Sequence, residues 1–103
     1  MDKNTLAGEV LKNQKKINSL VKKNAPAWPL EQIAPVDLAI LQIAIFELLY
    51  KEKTEPYKVI VDEAVEIAKE FGNESSKGFI NGVLGSIIKK ERKVIHDWLY
   101  RRS

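Results

Sequence analysis

The segment PYKVIVDEAVEIAKEFG (Pro56–Gly72), followed closely by KGFINGVL (Lys77–Leu84), decides the fold of this chain. Its first part begins with a proline, ends at a glycine and carries apolar residues at helical spacing. The second part keeps a helical pattern although it contains Gly78 and Gly82. Each glycine destabilises a helix by about 1 kcal/mol relative to alanine, so each needs a compensating role. The pattern predicts two helices joined by a short polar turn.

Several structural details follow from this segment. Gly72 is expected to end the first helix in the left-handed conformation, and Ser75 or Ser76 is expected to cap the second. Gly82 is expected to let a neighbouring helix approach closely. For Gly78 two explanations remain: close helix packing, or a backbone that is left uncovered for a partner. The buried stripe of the first helix is predicted to comprise Val59, Ile60, Ala64, Ile67, Ala68 and Phe71, flanked by Val61 and Val65.

Upstream, the run Leu38–Tyr50 is interrupted only by Gln42 and Glu47. A helix with this composition must be covered on almost every side, so it is predicted to be the centre of the core. Pro35 suits its first turn, and the negative charge of Asp37 favours a helix N-terminus. The run is shorter than the roughly 20 residues that a membrane span requires.

The flanking regions complete an all-helical pattern. Apolar residues between Leu6 and Val21 predict a helix that ends near Asn24, before a loop with two prolines. Trp28 in this loop is expected to be a hydrophobic plug, and Leu30–Ile33 a helical turn. The segment Lys89–Tyr100 either continues the preceding helix or folds back. The sequence therefore predicts an all-α fold, a compact helical bundle of about five helices in one domain covering residues 1–103.

Composition narrows the classes of function. The chain of 103 residues is 45% hydrophobic and 30% charged, which is typical of a soluble globular domain. It has no cysteine and one histidine, so thiolate and histidine-cluster metal sites are not expected. No catalytic, phosphate-loop or dinucleotide motif occurs, and the prediction is a non-enzyme without cofactor or metal. The absence of a signal-peptide pattern or a membrane-spanning run predicts a cytoplasmic location.

The positive charge is compatible with RNA binding but does not require it. The net charge is +3, and a genuine nucleic-acid footprint should be clustered on one face. Lysines do cluster locally, although each cluster alone is also typical of a solvated helix face. The clusters comprise Lys12, Lys15, Lys16, Lys22 and Lys23, and then Lys89, Lys90, Arg92 and Lys93.

Several motifs, taken in order, resemble the NusB family of transcription antitermination proteins. They are APAWPL (Ala25–Leu30), PVD (Pro35–Asp37), FELLY (Phe46–Tyr50), PYKV with DEAVEIAK (Pro56–Lys69), and FINGVL (Phe79–Leu84). The similarity extends from about Leu6 to Ile88 and implies a NusB-like helical fold. Family members begin with an arginine-rich helix and a second helix that have no counterpart here, so the domain is expected to be truncated at its N-terminus relative to the family.

The resemblance implies a function in transcription antitermination and termination. Family members bind the boxA element of ribosomal RNA leaders together with NusE, a ribosomal protein, and join the RNA polymerase antitermination complex. By position, Asp37 and Glu74 are candidates for partner binding. Ser75, Ser76, Lys77 and Phe79 are candidates for RNA binding. Family members often have aspartate at the position of Ser75 and lysine at that of Gly78, two differences with opposite expected effects on phosphate.

Alternatives remain open at this level. Phe79 fits either an RNA contact or an apolar anchor of the core. Without the two N-terminal helices, apolar faces would be left open, so a protein-interaction module or a homodimer without RNA binding is a second hypothesis. A third is an accessory domain related to those of ribosomal RNA methyltransferases, whose catalytic domain would be on another chain.

Overall fold

Four α-helices and one 3-10 turn make up the described part of the chain. The computed structural model describes Gly8 and residues 11–25, 27–50 and 56–90. The helices are α1 (Gln14–Asn24), α2 (Pro35–Tyr50), α3 (Tyr57–Phe71) and α4 (Ser76–Lys90), and the turn is Leu30–Gln32. The all-α prediction is confirmed, although five helices is slightly more than these residues contain. The segment after Lys90, for which the two helical alternatives were predicted, lies outside the described residues.

Helix α2 is the centre of the core: like α4 it contacts each of the other three helices, and it contains the most buried residues of the four. Pro35 is its first residue, as predicted, since the missing N–H of proline is not needed there. Burying a leucine or isoleucine side chain contributes about 1.5–3 kcal/mol, so this helix supplies a large share of the stability. Its completely buried side chains are Leu41, Ile45, Leu48 and Leu49.

Helix α3 buries a narrower stripe than its sequence predicts. Ile60, Ala64 and Ala68 are buried where α3 packs against α2 and α4. Val59, Ile67 and Phe71 are exposed, so their predicted burial is wrong. The reason is geometric: the two neighbouring helices cover the strip containing the small alanines, and the apolar residues beside it face outward. Helical periodicity alone does not indicate how wide a stripe the neighbours cover.

The turn between α3 and α4 requires glycine for a different reason from the one predicted. Gly72 has φ −95° and ψ −170°, an extended rather than left-handed conformation. A Cβ atom at this position would lie 2.4 Å from Ser76 Oγ and 2.8 Å from the carbonyl oxygen of Ala68. Gly72 is thus needed for the close approach of Ser76. This turn fixes the start of α4.

An asparagine, rather than a serine, supplies the side-chain acceptor before α4. The backbone N–H of Ser75 donates to Asn73 Oδ1 at 2.9 Å, and the Ser75 hydroxyl donates to the same atom at 2.7 Å. The backbone N–H of Asn73 in turn donates to Ser76 Oγ at 3.0 Å. Asparagine competes well for this role because its short side chain reaches backbone groups two residues onward. The turn is therefore held by hydrogen bonds at both ends.

Three asparagines fix α1 to the rest of the bundle. Gln42 Nε2 donates to Asn18 Oδ1 at 2.9 Å, and the Tyr50 hydroxyl donates to Asn13 Oδ1. At the end of α1, the Ser86 hydroxyl donates to Asn24 Oδ1 at 2.7 Å, while Asn24 Nδ2 donates to the carbonyl oxygen of Leu20 at 2.8 Å. Because these partners lie on α2 and α4, they set the position of α1. The loop that follows α1 is placed by the same contacts.

The glycines inside α4 lie on an exposed face. Apart from the adjacent residues and the backbone of α4 itself, no described atom comes within 4 Å of a Cβ built at Gly78, Gly82 or Gly85. The prediction that Gly82 permits close helix packing is therefore wrong for this chain. All three glycines instead leave the helix backbone uncovered by the described residues, which was the second explanation considered for Gly78.

This exposure leads to a stability prediction for Gly82→Ala. We expect the variant to be more stable than the original by about 1 kcal/mol, because alanine is the better helix former and meets no obstacle. Denaturant unfolding followed by circular dichroism measures the change. The matched control is Gly72→Ala, which should lose about 1–3 kcal/mol through overpacking against Ser76. A loss of stability in Gly82→Ala would mean that this face is packed after all.

Candidate interaction site

The loop before α2 and the turn before α4 meet at a surface cleft of about 230 Å³. Asp37 lies in the first turn of α2, and Ser75 lies in the turn before α4. We call this the acidic cleft because Asp37 is the one ionisable side chain among the described residues that line it. Its lining is Trp28, Gln32, Ile33, Ala34, Asp37, Asn73, Ser75 and Phe79.

Asp37 is unusual among the charged residues because its side chain is buried. It is 6% exposed, and its Oδ1 atom has no hydrogen-bond partner within the described part of the chain. Its position in the first turn of α2 places the carboxylate near the positive end of the helix dipole, which stabilises a negative charge. The dipole makes the buried carboxylate tolerable, but it does not satisfy Oδ1 as a hydrogen-bond acceptor.

A second cleft, of about 250 Å³, lies beside the first. Trp28 and Phe79 line both clefts. We call the second one the glycine cleft because Gly78 and Gly82 leave the α4 backbone bare there. Its lining is Asn24, Ala25, Ala27, Trp28, Gly78, Phe79, Gly82 and Val83.

The aromatic side chains shared by the two clefts differ in burial. Trp28 is 51% exposed, so the prediction that it plugs the core is wrong. The loop is held instead by the buried side chain of Ile33 and by a hydrogen bond from the backbone N–H of Trp28 to the carbonyl oxygen of Ala25 at 3.1 Å. Phe79 is half-buried and packs against the core. An exposed indole beside a half-buried phenyl ring is a surface suited to stacking with planar groups.

The structure brings together three of the six residues proposed from the sequence. Asp37, Ser75 and Phe79 line the acidic cleft. Glu74 and Lys77 are exposed on the same turn, outside both clefts. Ser76 is completely buried, and its hydroxyl is hydrogen-bonded to Asn73. Its side chain therefore serves the turn and not the surface.

Sequence reasoning did not assign Trp28, Asn73 or Gly82 to this surface. The available signals were a tryptophan between two prolines, an asparagine directly after a helix-ending glycine, and a glycine inside a helical pattern. Each of these has a common structural explanation, so no single signal pointed to a site. Trp28, Asn73 and Gly82 come close together only because α4 packs beside the loop that follows α1.

An apolar groove of about 590 Å³ lies between α2 and α3. Its exposed apolar side chains include Ile43, which is 40% exposed, and Phe71, which is 65% exposed. Glu47 and Glu63 lie at its rim. The lining is completed by Val36, Ala39, Ile40, Ala44, Ala64 and Ile67. This groove is formed by the side of α3 that the sequence predicted to be buried.

Among the described residues, no group of three or more histidine, cysteine, aspartate or glutamate side chains is placed to hold a metal ion. Within the same residues, none of the helices has the length and apolar character needed to cross a membrane. The open surface is instead built from aromatic rings, amides, a carboxylate and bare backbone.

The described residues form a small all-α domain with two adjoining clefts on its surface. Comparison with known proteins identifies the family to which this domain belongs. Residues 3–89 match the sequence model of the NusB family, and the chain belongs to that family. The resemblance seen in its motifs is thereby confirmed.

Individual relatives agree with this assignment. The chain is 45% identical over 80 residues to the transcription antitermination protein NusB of Herpetosiphon aurantiacus, covering 76% of this chain and 55% of the relative. It is 44% identical over 80 residues to that of Acetivibrio thermocellus, covering 78% and 54%. For Caldicellulosiruptor saccharolyticus the identity is 44% over 84 residues, covering 82% and 63%. The chain spans between half and two thirds of the length of these relatives, whose names describe a transcription factor and not an enzyme.

Proposed function

We propose that this chain is a NusB-type factor of transcription antitermination that acts in the cytoplasm by binding a NusE-type ribosomal protein and a boxA-type RNA. One observation carries the proposal. Asp37, a candidate for the protein partner, and Ser75 and Phe79, candidates for RNA, line one cleft although they are distant in sequence. The antitermination names of the relatives support the same function.

The two kinds of partner would use different groups of this surface. The carboxylates of Asp37 and Glu74 suit a positively charged protein and would repel phosphate. The Phe79 ring, Lys77 and the Ser75 hydroxyl suit a base and its phosphate. Lys22 and Lys23 lie in the last turn of α1, whose final residue, Asn24, lines the glycine cleft. Together these contacts would place the chain in the RNA polymerase antitermination complex.

Titration of boxA-type RNA, with and without the NusE-type protein, tests this function. Each phosphate contact to single-stranded RNA adds a slope of about −0.7 to the logarithm of affinity against the logarithm of salt concentration. Three contacts therefore predict a loss of roughly 20-fold between about 50 and 200 mM salt. We expect tighter RNA binding in the presence of the protein partner. Absence of binding to either partner at both salt concentrations would contradict the proposal.

The apolar groove supports a second candidate function, a protein-interaction module that forms homodimers. Val36, Ile43, Ile67 and Phe71 expose apolar surface to solvent along one groove. A contiguous apolar depression of this kind is typical of an interface. The paired arrangement of α2 and α3 would let a second copy present the same groove, as a two-fold symmetric contact requires.

Sedimentation equilibrium over a wide concentration range tests this candidate. We expect the unmodified chain to associate as its concentration rises, and Phe71→Glu to remain monomeric because a buried glutamate would be unpaired. Val59→Glu is the matched control: Val59 is similarly exposed on the same helix but does not line the groove. A monomeric unmodified chain at the highest concentration, or equal effects of the two substitutions, would exclude homodimerisation through this groove.

A further inference from the structure

The apolar groove opens on the side of α2 and α3 that is turned away from α4. Helix α4 packs against both of these helices, yet none of its residues is among the described lining of the groove. Ile67 and Phe71, which line it, are 45% and 65% exposed. The lining also contains Glu47 and Glu63, and no basic residue among those described. The groove therefore suits the apolar face of a helix that carries positive charge.

The residues that follow α4, which lie outside the described part of the chain, keep the spacing of its buried stripe. Ile80 and Ile87 are completely buried on α4, and Val94 follows at the same interval of seven residues. This interval is close to two helical turns, so the three residues share a face. No glycine or proline occurs after Gly85 to interrupt a helix. The pattern predicts that α4 continues with an apolar face formed by Val94, Ile95, Trp98 and Leu99.

A continued α4 runs past the helix that it packs against. Helices α3 and α4 each contain 15 residues and are joined by the short turn at residues 72–75. They therefore run antiparallel, and Lys90 lies level with the start of α3 at Tyr57. Each further residue extends the helix by about 1.5 Å beyond that level. The apolar face of the continuation is carried away from the groove of its own chain, so the groove that it reaches belongs to another molecule.

Charge and length also match between the groove and residues 91–103. Four basic residues of this segment outnumber its two acidic ones, opposite in sign to the two glutamates of the groove. Along α2 the groove extends over about 16 Å, and the basic ends of the segment are about 15 Å apart in a helix. The segment lies beyond residues 3–89, which match the family model, so the family resemblance says nothing of its role. Its charged residues are Glu91, Arg92, Lys93, Asp97, Arg101 and Arg102.

We infer that the apolar groove of one copy of this chain holds residues 91–103 of a second copy. The segment lies in the groove as a helix, with Trp98 against the exposed side chains of Ile67 and Phe71. Exchange in both directions gives a two-fold symmetric dimer. This inference rests on the second candidate function, homodimerisation through the groove, and names the part of the second copy that occupies it.

Sedimentation equilibrium of the full chain is the first arm of the test. We expect Trp98→Asp to weaken association at least about 30-fold, the effect of losing one central aromatic anchor of an interface. Trp28→Asp is the matched control, because it makes the same change at an exposed tryptophan outside the groove and should leave association unchanged. Melting curves verify that both variants are folded.

Mixing two defective variants separates an exchanged segment from two grooves that face each other. Phe71→Glu keeps an intact segment, and Trp98→Asp keeps an intact groove. At a concentration where neither variant associates alone, we expect their mixture to form dimers, although more weakly than the unmodified chain. One intact segment then meets one intact groove.

Cross-linking is the second arm, and the chain is suited to it because it contains no cysteine. A short bismaleimide reagent is added to a mixture of Ile67→Cys and Leu99→Cys. We expect joined dimers of the two variants. Val59→Cys in place of Ile67→Cys is the control, since Val59 is similarly exposed on α3 but does not line the groove, and it should give few such dimers.

The outcomes distinguish this inference from homodimerisation itself. If Phe71→Glu abolishes association but Trp98→Asp does not, or if Ile67→Cys is joined only to itself, the inference is overturned and homodimerisation through the groove stands. Joining within a monomer, in a dilute chain that carries both Ile67→Cys and Leu99→Cys, places the segment in its own groove and also overturns the inference. A chain that is monomeric at every concentration overturns both, and leaves the proposed binding of RNA and the NusE-type protein unaffected.

Discussion

Replacing Ile45 by alanine should lower the free energy of unfolding by about 2–5 kcal/mol, the largest stability effect we expect from a single substitution in this chain. Ile45 is completely buried in the middle of α2, the helix that all the others contact. Truncation removes buried methyl groups and leaves a cavity that the surrounding helices fill only partly. A small domain has a total stability of about 5–15 kcal/mol, so the melting temperature should fall by at least about 10 °C.

Ile43→Ala provides the control for this prediction. The same side chain, two positions earlier in the same helix, is 40% exposed at the apolar groove. We therefore expect a loss of less than about 1 kcal/mol, with both variants measured by denaturant unfolding of the free chain. Equal losses for the two variants would contradict the exposure of the groove. They would indicate that something covers Ile43 in solution.

Phe79→Leu should weaken binding of boxA-type RNA by about 5- to 100-fold, which corresponds to the roughly 1–3 kcal/mol of one base–aromatic stacking contact. Leucine keeps most of the apolar volume that packs against the core, so the fold should be retained with a loss below about 1.5 kcal/mol. Fluorescence titration of labelled RNA measures the affinity, and a melting curve of each variant accompanies it.

Phe71→Leu is the matched control for the RNA experiment. It makes the same chemical change at an exposed phenylalanine of α3, in the apolar groove and away from both clefts. We expect its RNA affinity to equal that of the unmodified chain. If Phe79→Leu also binds RNA normally, Phe79 acts as an apolar anchor of the core, the alternative that its sequence context left open.

The helix positions were largely predictable because local rules decide them. Proline at the first turn of α2, the nearly continuous apolar run that follows and the glycine after α3 each mark a boundary or a face without reference to distant residues. The exposed side of α3 was not predictable in the same way. Ile67 has the spacing of a buried residue, but its burial depends on where α2 and α4 lie around the helix axis.

The glycines illustrate the same division. The sequence correctly placed Gly72 at the end of α3, but its predicted left-handed backbone is wrong, and glycine is needed there because of the neighbouring Ser76 side chain. It marked Gly82 as costly without indicating whether another helix or open solvent lies beside it. The space beside a glycine is filled or left open by residues that are distant in the chain, and a local sequence pattern contains no information about those residues.

Sequence alone determined that this chain is all-helical, where α2 and α3 begin and end, and that it belongs with the NusB proteins, because proline and glycine boundaries, helical periodicity and ordered motifs are local properties. Only the tertiary structure decided that Trp28 stays exposed, that Asp37 is buried with no described residue bonded to its Oδ1, and that both line one cleft with Phe79. These facts depend on how α2 and α4 pack around the loop after α1. The burial of a side chain is set by its neighbours in space, and packing brings together residues that the chain keeps far apart.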